Sequence, residues 1–214
     1  MRLSQALAAG IAALGLDLDT AAQKKLLAYV ALLEKWNRTH NLTAIREPEQ
    51  MLTHHLLDAL ATLPHLPQRP GLRLIDVGSG GGLPGVPLAI ARPDWHVTLL
   101  DSKHKKATFL RQVAAELSLP HVVVAAARVE DYLPEVPFDV AISRAFAELV
   151  PFVAGARHLV RSGGSLVAMK GVYPREELAH LPPDLHVTAL PSLVVPGVDG
   201  ARHLVIIQAN GGSR

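Results

Sequence analysis

From Leu72 onward the sequence repeats one pattern, a short apolar run followed by a longer segment of helical character. LRLIDV (72–77), HVTLLD (96–101), HVVVAAARV (121–129), FDVAISRA (138–145) and GSLVAMKG (164–171) read as buried strands. LPGVPLAIA (83–91), KKATFLRQVAAEL (105–117) and ELVPFVAGARHLV (148–160) read as the helices between them. Strands alternating with helices bury both sheet faces, which predicts βαβ units, a parallel sheet and right-handed crossovers. The end of the chain breaks the pattern. HVTALPSLVVP (186–196) and ARHLVIIQA (201–209) flank Gly197, Asp199 and Gly200, which predicts an antiparallel hairpin.

The first part reads as helix. Asp19 and Thr20 both offer caps, and Thr20 with Gln23 has capping-box spacing. Leu26, Leu27, Val30, Leu33 and Trp36 then recur at helical spacing until NRTHNLT (37–43) interrupts them. A further helix is expected from Pro48 through Met51, Leu52, His55, Leu56 and Leu60. Pro64, Pro67, Pro70 and Gly71 end it as a linker. The expected organisation is a small helical N-terminal region, 1–68, packed on an α/β unit, 69–214. The opening MRLSQALAAGIAALGLDLD resembles a signal peptide, but Ser4, Gln5, Gly10, Gly15 and Asp17 interrupt its apolar run. A short amphipathic helix is the expected reading, with no membrane span and a cytoplasmic location.

Composition sets limits on the chemistry. The chain has no cysteine, which excludes disulfides, thiolate metal sites and a cysteine nucleophile. Eleven histidines raise the question of a metal, yet HEXXH and Cys/His spacings are absent, and adjacent His54 and His55 point to different sides of a helix. No metal is expected. A net charge of +2 permits a nucleic-acid partner without requiring one.

DVGSGGGLPG (76–85) joins the first strand to a helix. Gly78, Gly80 and Gly82 allow a tight turn and close approach of backbone to a ligand. Pro84 suits a first helical turn, and the helix start offers N–H groups to an anion. Gly80, Gly82 and Gly85 also fit GxGxxG, the pattern of a nicotinamide-dependent oxidoreductase. The longer pattern, Asp76 followed by the three glycines, fits better, because a carboxylate there suits the ammonium of a methionine-like donor and repels a pyrophosphate. Asp101 ends the second strand about 20 residues on, where it can accept from ribose hydroxyls or merely cap the next helix. Val129-Glu130-Asp131, after the third strand, can meet an adenine edge or form a capped turn. Together with the terminal hairpin, these features point to an S-adenosylmethionine (AdoMet) site on a Rossmann-like class I methyltransferase sheet.

The acceptor is narrowed by elimination. Exocyclic-amine methylases carry Asn/Asp-Pro-Pro-aromatic after the fourth strand, where this chain has Ser143-Arg144-Ala145-Phe146. Pyrimidine carbon-5 methylases need a cysteine. A ring nitrogen with its own lone pair needs neither device. Arg144, directly after a buried strand, is the first catalytic candidate, its fork able to hold guanine O6, a phosphate or the donor carboxylate, or else to pair with Glu148. Lys170 is a second candidate. Lys103, Lys105, Lys106 and Arg111, with Arg46, Arg128 and Arg202, form either a phosphate-binding rim or solvated surface.

From Lys35 to the last strand the chain resembles the bacterial 16S rRNA guanine-N7 methyltransferases, also called glucose-inhibited division protein B. KWNRTHNLTAIR, HHLLDA, DVGSGGGLPGVPLAI, LLDSKHKKATFLRQV, ARVED, FDVAISRAFA, MKG and GARHLVII carry the resemblance. It implies AdoMet contacts at Gly78, Leu83, Val129, Glu130 and Arg144, with Asp101 and Ser102 near the nucleoside. It also implies that Asn41, His55, Lys105 and Lys170 belong to the RNA-facing or active region, and Lys106, beside Lys105 in the basic cluster, is a further candidate for substrate binding. The expected partner is 16S rRNA in the small ribosomal subunit, and a monomer is expected. Gly81, His54 and Ala59 depart from commoner choices. An assembly factor with a structural AdoMet site remains an alternative.

Overall fold

The computed structural model describes residues 3–146 and 148–209. Ala147, the last residue of the FDVAISRAFA run, and the ends of the two expected units, 1–2 and 210–214, lie outside them. The chain begins with helices α1 (Leu3–Ala13), α2 (Thr20–His40) and α3 (Pro48–Met51). A π-helical turn (Leu52–Leu57) joins α3 to α4 (Asp58–Leu60). The α/β part then runs β1 (Arg73–Val77), α5 (Gly85–Ala91), β2 (His96–Leu100), α6 (His104–Glu116), β3 (Val122–Ala125), β4 (Phe138–Ser143), α7 (Leu149–Ala156), β5 (Val160–Lys170), α8 (Arg175–Ala179), β6 (Leu185–Ala189) and β7 (His203–Ala209).

These strands form one sheet in the order β3-β2-β1-β4-β5-β7-β6. β1 to β5 pair in parallel, and β7 pairs antiparallel with both β5 and β6. The expected α/β sheet with a terminal hairpin is present. The order reverses at β1 and β4, and ligands in open α/β sheets bind beyond the strand ends at that point.

Residues along β1 alternate between the two faces. Leu74 joins the larger core with α1, α2, the π-helical turn, α5 and α6, whereas Ile75 and Val77 join the core under α7. Asp76 therefore points to the α2/α5 side. Leu26, Tyr29, Val30 and Leu33 of α2 are buried in that same larger core. A Cβ at Gly10 would collide with Leu57, so α1 is fitted closely against the π-helical turn.

Several local expectations change. Asp19, not Thr20, caps α2, accepting from Ala22 N at 2.7 Å. The helix runs through Asn37–His40 and ends only at Asn41, in the left-handed conformation at φ 48°. Asn37 is buried, donating to Ile45 O and accepting from Thr43 N, so its polar side chain organises the turn instead of breaking the helix. Pro84 does not occupy a helical position; it precedes α5, after a cis Leu83–Pro84 bond. Only Val122–Ala125 of the expected third strand pairs, and β5 starts at Val160, earlier than expected.

Candidate active site

The glycine loop is held from behind. Tyr29 of α2 donates to Gly81 O at 2.5 Å, and its buried hydroxyl has its pKa pushed up by desolvation. Asp76 is fully buried under the loop, where its Oδ2 accepts from Gly85 N at 2.9 Å. Desolvation pushes its pKa up to about 7, against the hydrogen bond from Gly85, which lowers it. Strand alternation places this carboxylate on the opposite face from the Val77 side, so it fixes the loop from beneath. The N–H groups expected to meet an anion are already engaged. Gly78 and Ser79 donate to Leu100 O, Gly82 and Leu83 to Ser79 O, Gly85 to Asp76, and Val86 to Gly82 O. This start of α5 is therefore no pyrophosphate cradle, in line with the repulsion expected of Asp76, and an anion there would have to displace these bonds.

A cavity of about 250 Å³ opens beyond β1 and β2, lined by Gly78, Asp101, Ser102, Val129, Glu130 and Phe146 among others. Gly78 has φ +74°, and a Cβ there would lie 2.7 Å from Ala145 Cβ. Only glycine keeps that wall open. Asp101 accepts from Gly80 N through Oδ2 and from Lys103 N through Oδ1, each at 2.9 Å, so it both ties the loop and starts the α6 turn. Its Oδ2 also lies 3.7 Å from Lys106 Nζ. Gly80 shapes the loop edge, whereas Gly82 and Leu83 are buried within it.

A second cavity, also about 250 Å³, is lined by His54, His55, Asp58, Arg144, Lys170 and Arg202 with apolar Ile45, Met169 and Leu193. The segment after β4 borders both cavities, Arg144 in this one and Phe146 in the other. Arg144 does not pair with Glu148. Its Nη1 donates to His54 O at 3.2 Å, lies 3.3 Å from His55 Nδ1 and pairs with Asp58 at 3.6 Å. Both of these hydrogen-bonding groups, His54 O and His55 Nδ1, lie within the π-helical turn. Lys170, 9 % exposed, pairs with Glu177 at 2.7 Å, and Glu177 also accepts from Leu149 N at the start of α7.

His55 Nε2 lies 2.8 Å from Thr43 Oγ1, and Nδ1 lies 2.9 Å from His54 O. Burial first and Arg144 second pull its pKa down to about 4, so the ring is neutral at pH 7. Its unfolded counterpart takes up a proton near pH 6.5, so acid favours the unfolded chain. The stability difference between the wild type and His55→Gln is therefore expected to shrink as pH falls from about 6.5 to 4, by up to about 3 kcal/mol. Urea unfolding at stepped pH checks this; a pH-independent difference would contradict it. Burial also raises the pKa of Asp58, with Arg144 and Arg202 opposing.

The sequence-derived candidates thus divide. Gly78, Asp101, Ser102, Val129 and Glu130 meet at the first cavity; His55, Arg144 and Lys170 meet at the second. Asn41 is exposed and turns the chain so that Thr43 reaches His55, while Lys105 is exposed on the first turn of α6. Tyr29 and Glu177 carry no signal in the sequence, and Asp58 and Phe146 stand only inside longer motifs, HHLLDA and FDVAISRAFA, without a role of their own. Among the described residues, no cluster of His, Cys, Asp and Glu could hold a metal, and no helix is long and apolar enough to cross a membrane.

Known proteins resemble this chain in fold and in sequence. Solved structures with the same fold include the O-methyltransferase TomG from Streptomyces achromogenes in complex with SAM (TM-score 0.60, 20 % identity, 99 % of this chain and 100 % of that one). A SAM dependent methyltransferase from Aquifex aeolicus also matches (TM-score 0.60, 16 % identity, 83 % and 97 %). At such identities they share the fold alone. A ribosomal RNA small subunit methyltransferase G from Laribacter hongkongensis is 53 % identical over 187 residues, 87 % of this chain and 89 % of its own. The protein of that name from Neisseria meningitidis serogroup B is 52 % identical over 208 residues, 97 % and 99 %. The family model described as rRNA small subunit methyltransferase G matches residues 22–205, and the chain belongs to that family.

Proposed function

We propose that this chain transfers a methyl group from AdoMet to N7 of a guanine in the 16S rRNA of the small ribosomal subunit, working as a cytoplasmic monomer. One observation carries the reading: two cavities border the same segment, Arg144–Phe146, one suited to a nucleoside and the other to an anionic, hydrogen-bonding acceptor. The first cavity fits AdoMet by its donor set. Gly78 leaves open the space a Cβ would fill, Asp101 would offer a carboxylate to ribose hydroxyls, and the Val129–Glu130 segment would hold the adenine edge. Half-buried Gly80 and the buried Asp76, Gly82 and Leu83 set the loop shape that Gly78 depends on.

When bound, AdoMet supplies a sulfonium methyl that is already activated. The chain's own work is then positioning and exclusion of water. Guanine N7 attacks with its own lone pair, so no residue needs to remove a proton from it. Neutral His55 and the pairing of Lys170 with Glu177 suit a site that orients its substrate without acid–base chemistry. Arg144 and Lys170 can hold guanine O6 or phosphate oxygens, while Asn41, Lys105 and Lys106 lie on segments that flank the approach.

Purified protein with radiolabelled AdoMet tests the proposal. One 16S guanine is expected to gain a methyl, located by mass spectrometry of nuclease fragments from naked rRNA and from small subunits. No methylation of either substrate would refute it.

A further inference from the structure

Three segments far apart in sequence meet around one carboxylate. Asp58, immediately after the π-helical turn, is 4 % exposed. Its Oδ2 lies 3.6 Å from Arg144 Nη1, and its Oδ1 lies 3.3 Å from Arg202 Nε. Neither proximity gives Oδ1 a hydrogen bond. Arg202 directly precedes β7, with Nη1 donating to Ala201 O at 2.9 Å.

As a stabilising device this carboxylate is a poor one. Removing it from water is costly, and the loss is not offset by a full set of hydrogen bonds. Its position makes sense through its neighbours. Two guanidiniums lining one cavity repel each other, and a carboxylate between them cancels that repulsion and sets their directions. Arg144 makes its hydrogen bonds through Nη1, and among the described residues none runs from Nη2 or Nε. The side chains of Arg144 and Arg202 are 30 % and 27 % exposed, so both are reachable from the cavity.

We propose that Asp58 is a positioning residue: it converges Arg144 and Arg202 on the second cavity, where the two forks together grip one phosphate of the acceptor RNA. Convergent guanidiniums bind phosphate oxygens in parallel, which single exposed cations do not. The inference rests on the proposed RNA-methylating function, but its test can fail separately.

The test measures the affinity of a 16S rRNA fragment, without donor, for wild type, Asp58→Asn, Arg202→Ala and the double variant. Removing a negative charge beside an RNA site should tighten binding if Asp58 acts by charge alone. Positioning requires the opposite: Asp58→Asn weakens binding about tenfold and lowers the salt slope of log K by about one phosphate contact. The two substitutions are then non-additive, the double variant binding no more weakly than Arg202→Ala. AdoMet affinity, read by calorimetry, stays within about threefold of wild type in each, since the donor cavity is separate. Tighter or unchanged binding by Asp58→Asn, or losses that multiply, overturns the proposal. Should Asp58→Asn fail to fold, Arg202→Ala decides alone, and wild-type RNA affinity in that variant overturns it. A wild type that binds the RNA but leaves it unmethylated counts against the proposed function and not against the role of Asp58.

Discussion

Arg144→Ala is expected to lower methyl transfer to 16S rRNA by about 10²–10³-fold, the usual loss when one preorganised donor leaves a site. The guanidinium borders the second cavity one residue from Ala145, whose Cβ faces Gly78, so it stands where the two cavities come closest along the chain. Its anchoring by His54 O, His55 and Asp58 fixes one end and presents the other. Arg144→Lys should not restore the rate, because an ammonium cannot bond the π-helical turn and grip a planar acceptor at once. Single-turnover assays at saturating AdoMet and RNA provide the measurement. A rate within about threefold of wild type for the alanine variant would remove Arg144 from the reaction.

Gly85→Ala should cause the largest loss of stability, about 3 kcal/mol, and lower Tm by roughly 6–12 °C. The added methyl would collide with Leu99 and lie 2.8 Å from Asp76 Oδ2 and 2.9 Å from Asp76 Cβ. Leu99 and Asp76 are fully buried, and Asp76 Cβ is attached directly to the β1 backbone, so it cannot swing aside. The hydrogen bond from Gly85 N to Asp76 would be strained as well, in a place where a carboxylate has few other donors. Urea titration followed by circular dichroism tests this, and an unchanged midpoint would contradict the packing described. Gly85 is the third glycine of the GxGxxG match, but its function here is contact with Asp76 and Leu99.

The strands were legible because a sheet covered on both faces leaves mostly apolar runs, such as Leu72–Val77 and Val97–Leu100, interrupted by few polar residues. The glycine loop was legible because Gly78, Gly80 and Gly82 all take positive φ, which few other residues tolerate. The π-helical turn was not, since Leu52, His55, Leu56 and Leu60 fit an ordinary helical period and nothing in the residue types marks the wider winding. Asp58 was missed for a related reason: one acid in an apolar helix reads as its wet face, and only the tertiary placement of Arg144 and Arg202 makes it internal. Asp76 was identified as important from its place before the glycines, but its hydrogen bond from Gly85 N was not legible, because it depends on which sheet face the carboxylate takes. Arg144 was found from its place after β4, whereas its partner came from Asp58, not from the nearby Glu148.

The hydroxyl of Tyr29 on Gly81 O, with Leu33 and Leu42 beside Gly81 and Leu110 beside Gly82, makes α2 the floor of the glycine loop. The helices before β1 are consequently no detachable handle for RNA. A minimal catalyst cut at the proline-rich joint would expose the larger core and leave the loop without its rear support. Transplanting this α/β sheet into another enzyme would therefore require carrying α2 along, and redesigning α2 for a new RNA would retune donor binding at the same time.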